Sequence, residues 1–304
     1  MDKPVSNPLG ALYNLFRAEW LKVAGNRWVT SCLIWVFPIM GAVAIVVFTL
    51  IVALSAPARD SFAEEPPLWT EQALEVWNLV NNPVGRMILL GFTGVVFAGE
   101  YQWNTWKNTV PRNRRVALIL MKFFTVGLFV VVAFVAMSII MTLGMGFLTQ
   151  LVGTPYDPKP TQEVLSDFAE DYLLQASTAF TATIIASGYV ALAGMLTRSI
   201  LGGVLIGFGI TFFENLSIVG LFLLAQLLDV PDLVTLYRFT PGYNLTNVTN
   251  WINANEAARV EMVVRDTDVF ITETLEFSLI LLAVWVIGLI TITALLFQRQ
   301  DITT

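Results

Sequence analysis

The sequence predicts an all-α integral membrane protein with six transmembrane helices, on three observations. First, the 304-residue chain is 56% hydrophobic and only 13% charged, too apolar to present an ordinary water-facing surface. Second, several of its apolar runs reach the ~20 residues that cross a bilayer core of about 30 Å. Third, its charges sort by side. Segments read as cytoplasmic hold eleven basic against four acidic residues (+7), and segments read as external hold six against eighteen (−12). Glu214, inside an apolar run, supplies the last −1 of the net −6. Excess Lys and Arg in short flanking loops marks the cytoplasmic side.

The elements follow in order. Pro8 suits a first helical position. Leu9, Leu12, Tyr13, Phe16, Trp20 and Val23 then recur at helical spacing, while Asn14, Arg17, Glu19 and Lys22 fall largely on other faces. This predicts an amphipathic helix over 8–26 lying in the cytoplasmic interface. A first span covers about 28–54, with Pro38 able to kink it. The acidic, Pro-containing stretch 55–82 is external; within it Ala73, Val76, Trp77 and Val80 form a short stripe expected to rest on the outer interface. The second span, about 83–103, is long enough only if its helix continues through Tyr101 and Trp103.

The third span, 115–152, exceeds a bilayer's need, so it is read as tilted, with Lys122 snorkelling to the interface. Residues 153–171 are external, and the fourth span is expected over 172–196. The fifth covers 199–228. A break near Glu214 is the favoured reading and a continuous span ending at Asp229 the alternative, because a carboxylate at such depth marks a hydrated path or an interrupted helix. A polar external segment follows, in which Asn253 and Glu256 resemble a capping box opening a short helix. The sixth span covers 275–297, giving one transmembrane domain over 1–304 with both termini cytoplasmic.

The same residues bound the function. The chain has no His and a single Cys, Cys32, and it contains no Walker phosphate loop, nucleophile elbow or zinc signature. No catalytic residue, cofactor site or metal ligand is therefore expected in this chain, nor any nucleic-acid partner. Attention falls on the connector after the second span, GEYQWNTWKNTVPRNRRVALILMK, the one densely basic and aromatic run between two long apolar segments. Trp103 and Trp106 offer a soluble partner apolar contact, and Lys107, Arg112, Arg114 and Arg115 offer orientation; the plainer reading is a topology signal alone. Gly91 and Gly94 in the second span, and Gly203 and Gly207 at G-x-x-x-G spacing in the fifth, read as a helix-packing face or dimer seam, or as the ordinary glycine of membrane helices. Glu214 reads as an outer-gate or pathway residue. The Asn-x-Ser/Thr triplets at Asn215, Asn244 and Asn247 are read as accidental.

The arrangement resembles the membrane subunit of ABC-2 type transporters, the bacterial export permeases related to bacitracin, lantibiotic-immunity and sodium-efflux systems. The resemblance covers nearly the whole chain: the N-terminal FRAEWLKV helix, six spans, and a connector with an E-Y-x-x-x-T pattern, then a Pro and a basic residue, then a Lys in the next helix. Glu100, Tyr101, Thr105, Pro111, Arg114 and Lys122 occupy those places. It implies a prokaryotic plasma-membrane permease, itself no enzyme, paired with a second permease copy and bound to two ABC ATP-binding subunits that carry ATP and Mg. The connector would be the coupling helix gripped by the ATPase. Two other readings stay open: a membrane anchor that recruits a cytoplasmic protein without transport, and a gradient-driven carrier or channel.

Overall fold

The structure is a computed structural model that describes residues 8–80, 83–103, 105–106 and 114–300. Its elements are α1 (Pro8–Gly25), α2 (Arg27–Leu33), α3 (Val36–Leu54), α4 (Ala56–Glu64), α5 (Trp69–Glu75), a 3₁₀ helix (Val76–Val80), α6 (Pro83–Gln102), α7 (Arg115–Val152), α8 (Gln162–Thr197) and α9 (Ile200–Leu228). A second 3₁₀ helix (Pro231–Phe239), α10 (Pro241–Ala254), strands β1 (Val260–Val264) and β2 (Thr267–Ile271) and α11 (Leu275–Arg299) complete the chain. Among the described residues six helices are long and apolar enough to cross a membrane: α3, α6, α7, α8, α9 and α11. The chain is thus a helical, multi-pass membrane protein.

It divides into two compact units. One consists of Met1–Gly25, Leu90–Gly127 and Thr181–Thr304; the other, of Asn26–Leu89 and Leu128–Phe180. We call them the first and the second unit.

In the first unit, close helix packing rests on small residues. A Cβ at Gly203 of α9 would stand 2.9 Å from the Cα of Gly194 on α8, and one at Gly194 would stand 2.9 Å from the Cβ of Ala98 on α6. Thr93 and Ser187 join their hydroxyls across α6 and α8 at 2.9 Å. The polar segment after α9 folds around Val234, Tyr243, Val264, Val269 and Ile271, packed with Ala225 of α9. Strands β1 and β2 pair antiparallel from Val260↔Ile271 to Val264↔Thr267. The two-residue turn between them, Arg265 and Asp266, takes positive φ at both positions (43° and 65°), as tight hairpin turns require.

In the second unit the core is aromatic. Phe37 of α3 meets Phe134 of α7 at 4.8 Å, Phe134 stacks on Trp77 at 5.7 Å, and Trp77 sets its edge against Tyr172 of α8 at 5.5 Å. Separately, Val52, Phe62, Met145 and Leu148 form a cluster that ties α4 to α3 and α7.

Several expectations change. The first span is two helices: the break falls at Ile34–Trp35, and Pro38 lies in the first turn of α3, where a missing N–H costs nothing. The stripe Ala73, Val76, Trp77 and Val80 does not rest on an interface; all four side chains are buried. The fourth helix begins at Gln162 rather than about 172: the Thr161 hydroxyl accepts from the Val164 N–H at 3.3 Å, and Glu163 in the first turn suits a helix N-terminus. The favoured break at Glu214 is absent, and α9 is continuous. Asn253 and Glu256 open no helix: Thr240 caps α10 at its start, and Asn255, left-handed, ends it. The strand pair was not expected in an all-α chain. Asn244 and Asn247 are fully buried, as structural asparagines: Asn247 accepts from the Ala258 N–H at 2.7 Å and donates to Ser278 at 2.8 Å.

Candidate functional site

The site is built where α1, the end of α6 and the start of α7 meet in the first unit. The packed stripe of α1 is Leu15, Glu19 and Val23, spaced four apart, so the Glu19 carboxylate is carried on the apolar face and is 2% exposed. Glu100 comes from the last turn of α6 and Lys122 from the third turn of α7; they are 2% and 0% exposed.

Lys122 Nζ donates to Glu19 Oε2 at 2.9 Å, to the Val96 carbonyl at 3.1 Å, and to Glu100 Oε1. These three bonds match the donor capacity of an ammonium. Glu100 also takes Lys22 of α1 as a partner and accepts from the Thr105 hydroxyl at 2.9 Å. Lys22 stands 4.0 Å from Glu19. Two carboxylates and two ammoniums thus form a neutral cluster, and only Lys22, whose side chain is 40% exposed, reaches outward. Charges buried so deeply persist only when each is paired and hydrogen-bonded.

Trp106 roofs the cluster. It is 1% exposed, Lys122 Nζ lies 5.2 Å from its ring centroid, and it packs on Phe297 of α11 at 4.4 Å and on Tyr101 at 5.6 Å. Tyr101 donates to the side chain of Gln300. Arg115 donates to the carbonyls of Phe297, Gln298 and Gln300 at 3.1, 2.9 and 2.8 Å, capping the C-terminal end of α11. The last helix is therefore clamped to the same place.

Set against the sequence reading, Glu100, Tyr101, Thr105 and Trp106 come together, joined by Arg115. Trp106 is not a surface anchor: its apolar area is already covered within the chain. Arg115 is likewise engaged by backbone carbonyls rather than presented to a partner. Trp103 is exposed, one face lying on Gly99, and Arg114 is exposed. Lys107, Pro111 and Arg112, and the body of the expected coupling helix, lie outside the described residues. Lys122 does not snorkel, because two carboxylates and a carbonyl complete its shell in place of water.

Glu19 and Lys22 escaped the sequence reading. A signal existed, since Glu19 stands four residues from both Leu15 and Val23 and so shares their face.

The glycines serve packing within the chain. A Cβ at Gly94 would stand 2.6 Å from Val204 of α9, and Gly203 and Gly207 face Gly194 and Val190 of α8. The G-x-x-x-G face is therefore occupied by α8 and is not free to form a dimer seam. Gly91 is half-buried. Glu214 is held without a helix break. Its Oε2 accepts from the Tyr189 hydroxyl at 3.3 Å, and its Oε1 would lie 3.4 Å from a Cβ at Gly242 in the first turn of α10. A helix N-terminus favours a carboxylate there. Burial and the nearby Glu214 carboxylate both push the Tyr237 phenol above its ordinary value.

Among the described residues no group of His, Cys, Asp and Glu could hold a metal ion. No family model matches the chain, and no curated protein matches it.

Proposed function

We propose that this chain is the transmembrane permease subunit of an ATP-driven ABC-2 type exporter in a prokaryotic plasma membrane. It would work with a second permease copy and two separate ATP-binding subunits that supply ATP and Mg. The observation that carries the reading is the buried cluster of Glu19, Lys22, Glu100 and Lys122. It ties α1, the end of α6 that leads into the basic connector, and the start of α7 into one body.

A transport subunit without a nucleotide site needs such a link. A push on the connector from the cytoplasm does work on the spans only if the connector's ends are rigidly joined to them. Paired charges in a low-dielectric setting resist displacement more strongly than an apolar contact of equal area, because parting them leaves unpaired buried charge. Trp106 and Arg115 extend the body to α11. On this reading the partner grips residues 107–113 and the exposed Trp103 and Arg114, while Trp106 and Arg115 transmit. Glu214 and the external segment would line the outward exit.

The test is isolation of the tagged chain from its own host in mild detergent. An ATP-binding subunit should copurify, its ATPase activity should rise when the pair is placed in liposomes, and Glu19→Gln should retain the partner while lowering that stimulation. Absence of any ATP-binding partner overturns the reading. A bound partner whose ATPase activity ignores the permease and its variant favours the anchor role instead.

A further inference from the structure

The second unit holds a pocket of about 370 Å³ between α7 and the segment formed by α5 and the 3₁₀ helix that follows it. That is within the ~300–1,000 Å³ range of ligand sites. Its two walls differ in chemistry. Gln72, Glu75 and Asn78 form a polar one, and Met137 and Met141 of α7 form the other; among the described residues no aromatic ring lines it.

Local geometry makes the polar wall. Helix α5 ends at Glu75 and the chain tightens into 3₁₀ helix from Val76 to Val80, so that Gln72, Glu75 and Asn78, spaced three apart, fall on one side. The apolar side chains of the same segment fix this row in place. Ala73 and Trp77 are buried, Ser138 of α7 donates to the Ala73 carbonyl at 2.9 Å, and Trp77 stacks on Phe134 of α7 at 5.7 Å. The methionine wall is backed by α3: a Cβ at Gly41 would stand 3.1 Å from Met137 Cγ and 3.6 Å from Met141 Sδ.

The charge on the polar wall is not matched from within the chain. Among the described residues the side chains of Gln72, Glu75 and Asn78 have no hydrogen-bond or ion-pair partner. Segment 55–82 holds five acidic residues and one basic, Arg59, which donates to the Val52 and Ala53 carbonyls at 3.3 and 2.7 Å.

We propose that this pocket binds a primary ammonium ion carried on an apolar body, with Glu75 supplying the opposite charge, Gln72 and Asn78 their carboxamide oxygens, and the two methionines the contact for the body. A primary ammonium has three N–H donors, and one carboxylate with two carboxamides offers acceptors for all of them. Thioether side chains adapt to irregular apolar shapes. An acyl chain would strip water from three polar groups and return no hydrogen bond, an anion would meet Glu75, and a quaternary ammonium would bring no donor. The site goes beyond the transport reading and does not depend on it, since binding is measured directly.

The experiment is equilibrium dialysis of radiolabelled hexylamine, near neutral pH, against the full chain in phosphatidylcholine nanodiscs, with hexyltrimethylammonium and hexanoate as counterparts of similar apolar length. Saturable binding of hexylammonium alone is expected. Glu75→Gln should weaken it about tenfold, and Asn78→Trp, which fills the pocket from its polar wall, should abolish it. Both side chains are exposed, so neither change removes core packing. Glu71→Gln, at an exposed acidic neighbour outside the pocket, should leave binding unchanged. Adding phosphatidylethanolamine to the discs separates two sources of the same group: competition assigns the site to a lipid headgroup ammonium, and undiminished binding assigns it to a soluble amine. Equal binding of the quaternary ion or of hexanoate, a signal no greater than partition into empty nanodiscs, hexylammonium binding that survives both pocket variants, or an equal loss in Glu71→Gln would each overturn the proposal.

Discussion

Helix α7 passes through two chemistries. In the first unit it carries Lys122, sealed among Glu19, Glu100 and the Val96 carbonyl; in the second it carries Phe134, stacked on Trp77 and tilted against Phe37. Both are near-complete burials, 0% exposed in each case, but they fail differently. The aromatic stack loses stability in proportion to the area removed, and its neighbours can relax into the space. The ionic cluster cannot relax at its buried members, because removing Glu19, Glu100 or Lys122 strands the other two without water. A site that must move as one piece is better served by the second kind of cohesion.

That contrast can be broken by substitution, beginning with the largest effect. Lys122→Met leaves two buried carboxylates with one shared ammonium and should cost about 4 kcal/mol, seen as collapse of the thermal midpoint or loss of folded protein. Trp77→Ala in the second unit should cost about 3 kcal/mol, with folded protein still recoverable in detergent. Trp106→Phe keeps an aromatic roof over Lys122 and should cost only about 1–2 kcal/mol; its indole N–H has no hydrogen-bond partner to lose among the described residues. Lys22→Met, at the outward edge of the cluster, should cost about 1 kcal/mol or less, because solvent already screens that charge. If Lys22 and Lys122 prove equally costly, depth of burial is not what sets the cluster's cohesion.

How legible this was depended on whether a feature was local. Apolar length alone locates the six long helices, since backbone groups in a bilayer leave a chain few other options. The hairpin was missed because Arg265 and Asp266 lack the Asn-Gly signature of a tight turn, although Val260–Val264 and Thr267–Ile271 are rich in β-branched residues. Glu100 and Lys122 could be singled out as a pattern, but their union with Glu19 spans 103 positions between Glu19 and Lys122, which no local period reports. Trp106 was misread for the same reason. An aromatic residue in a basic connector looks like a docking group until the last helix, with Phe297, is found to cover it. Glu214 likewise has a partner outside its own helix, the Tyr189 hydroxyl of α8, which no local period reports.

The most direct test of the cluster as a single joined body is a double-mutant cycle on Glu19→Gln and Lys122→Met, read as unfolding free energy of the purified chain in detergent. The account predicts that the paired variant is less destabilised than the two single variants added together, by at least about 1.5 kcal/mol, because each single change strands what the other removes. Strict additivity would mean that α1 and α7 are neighbours without being joined, and the transmission role assigned to them would fall.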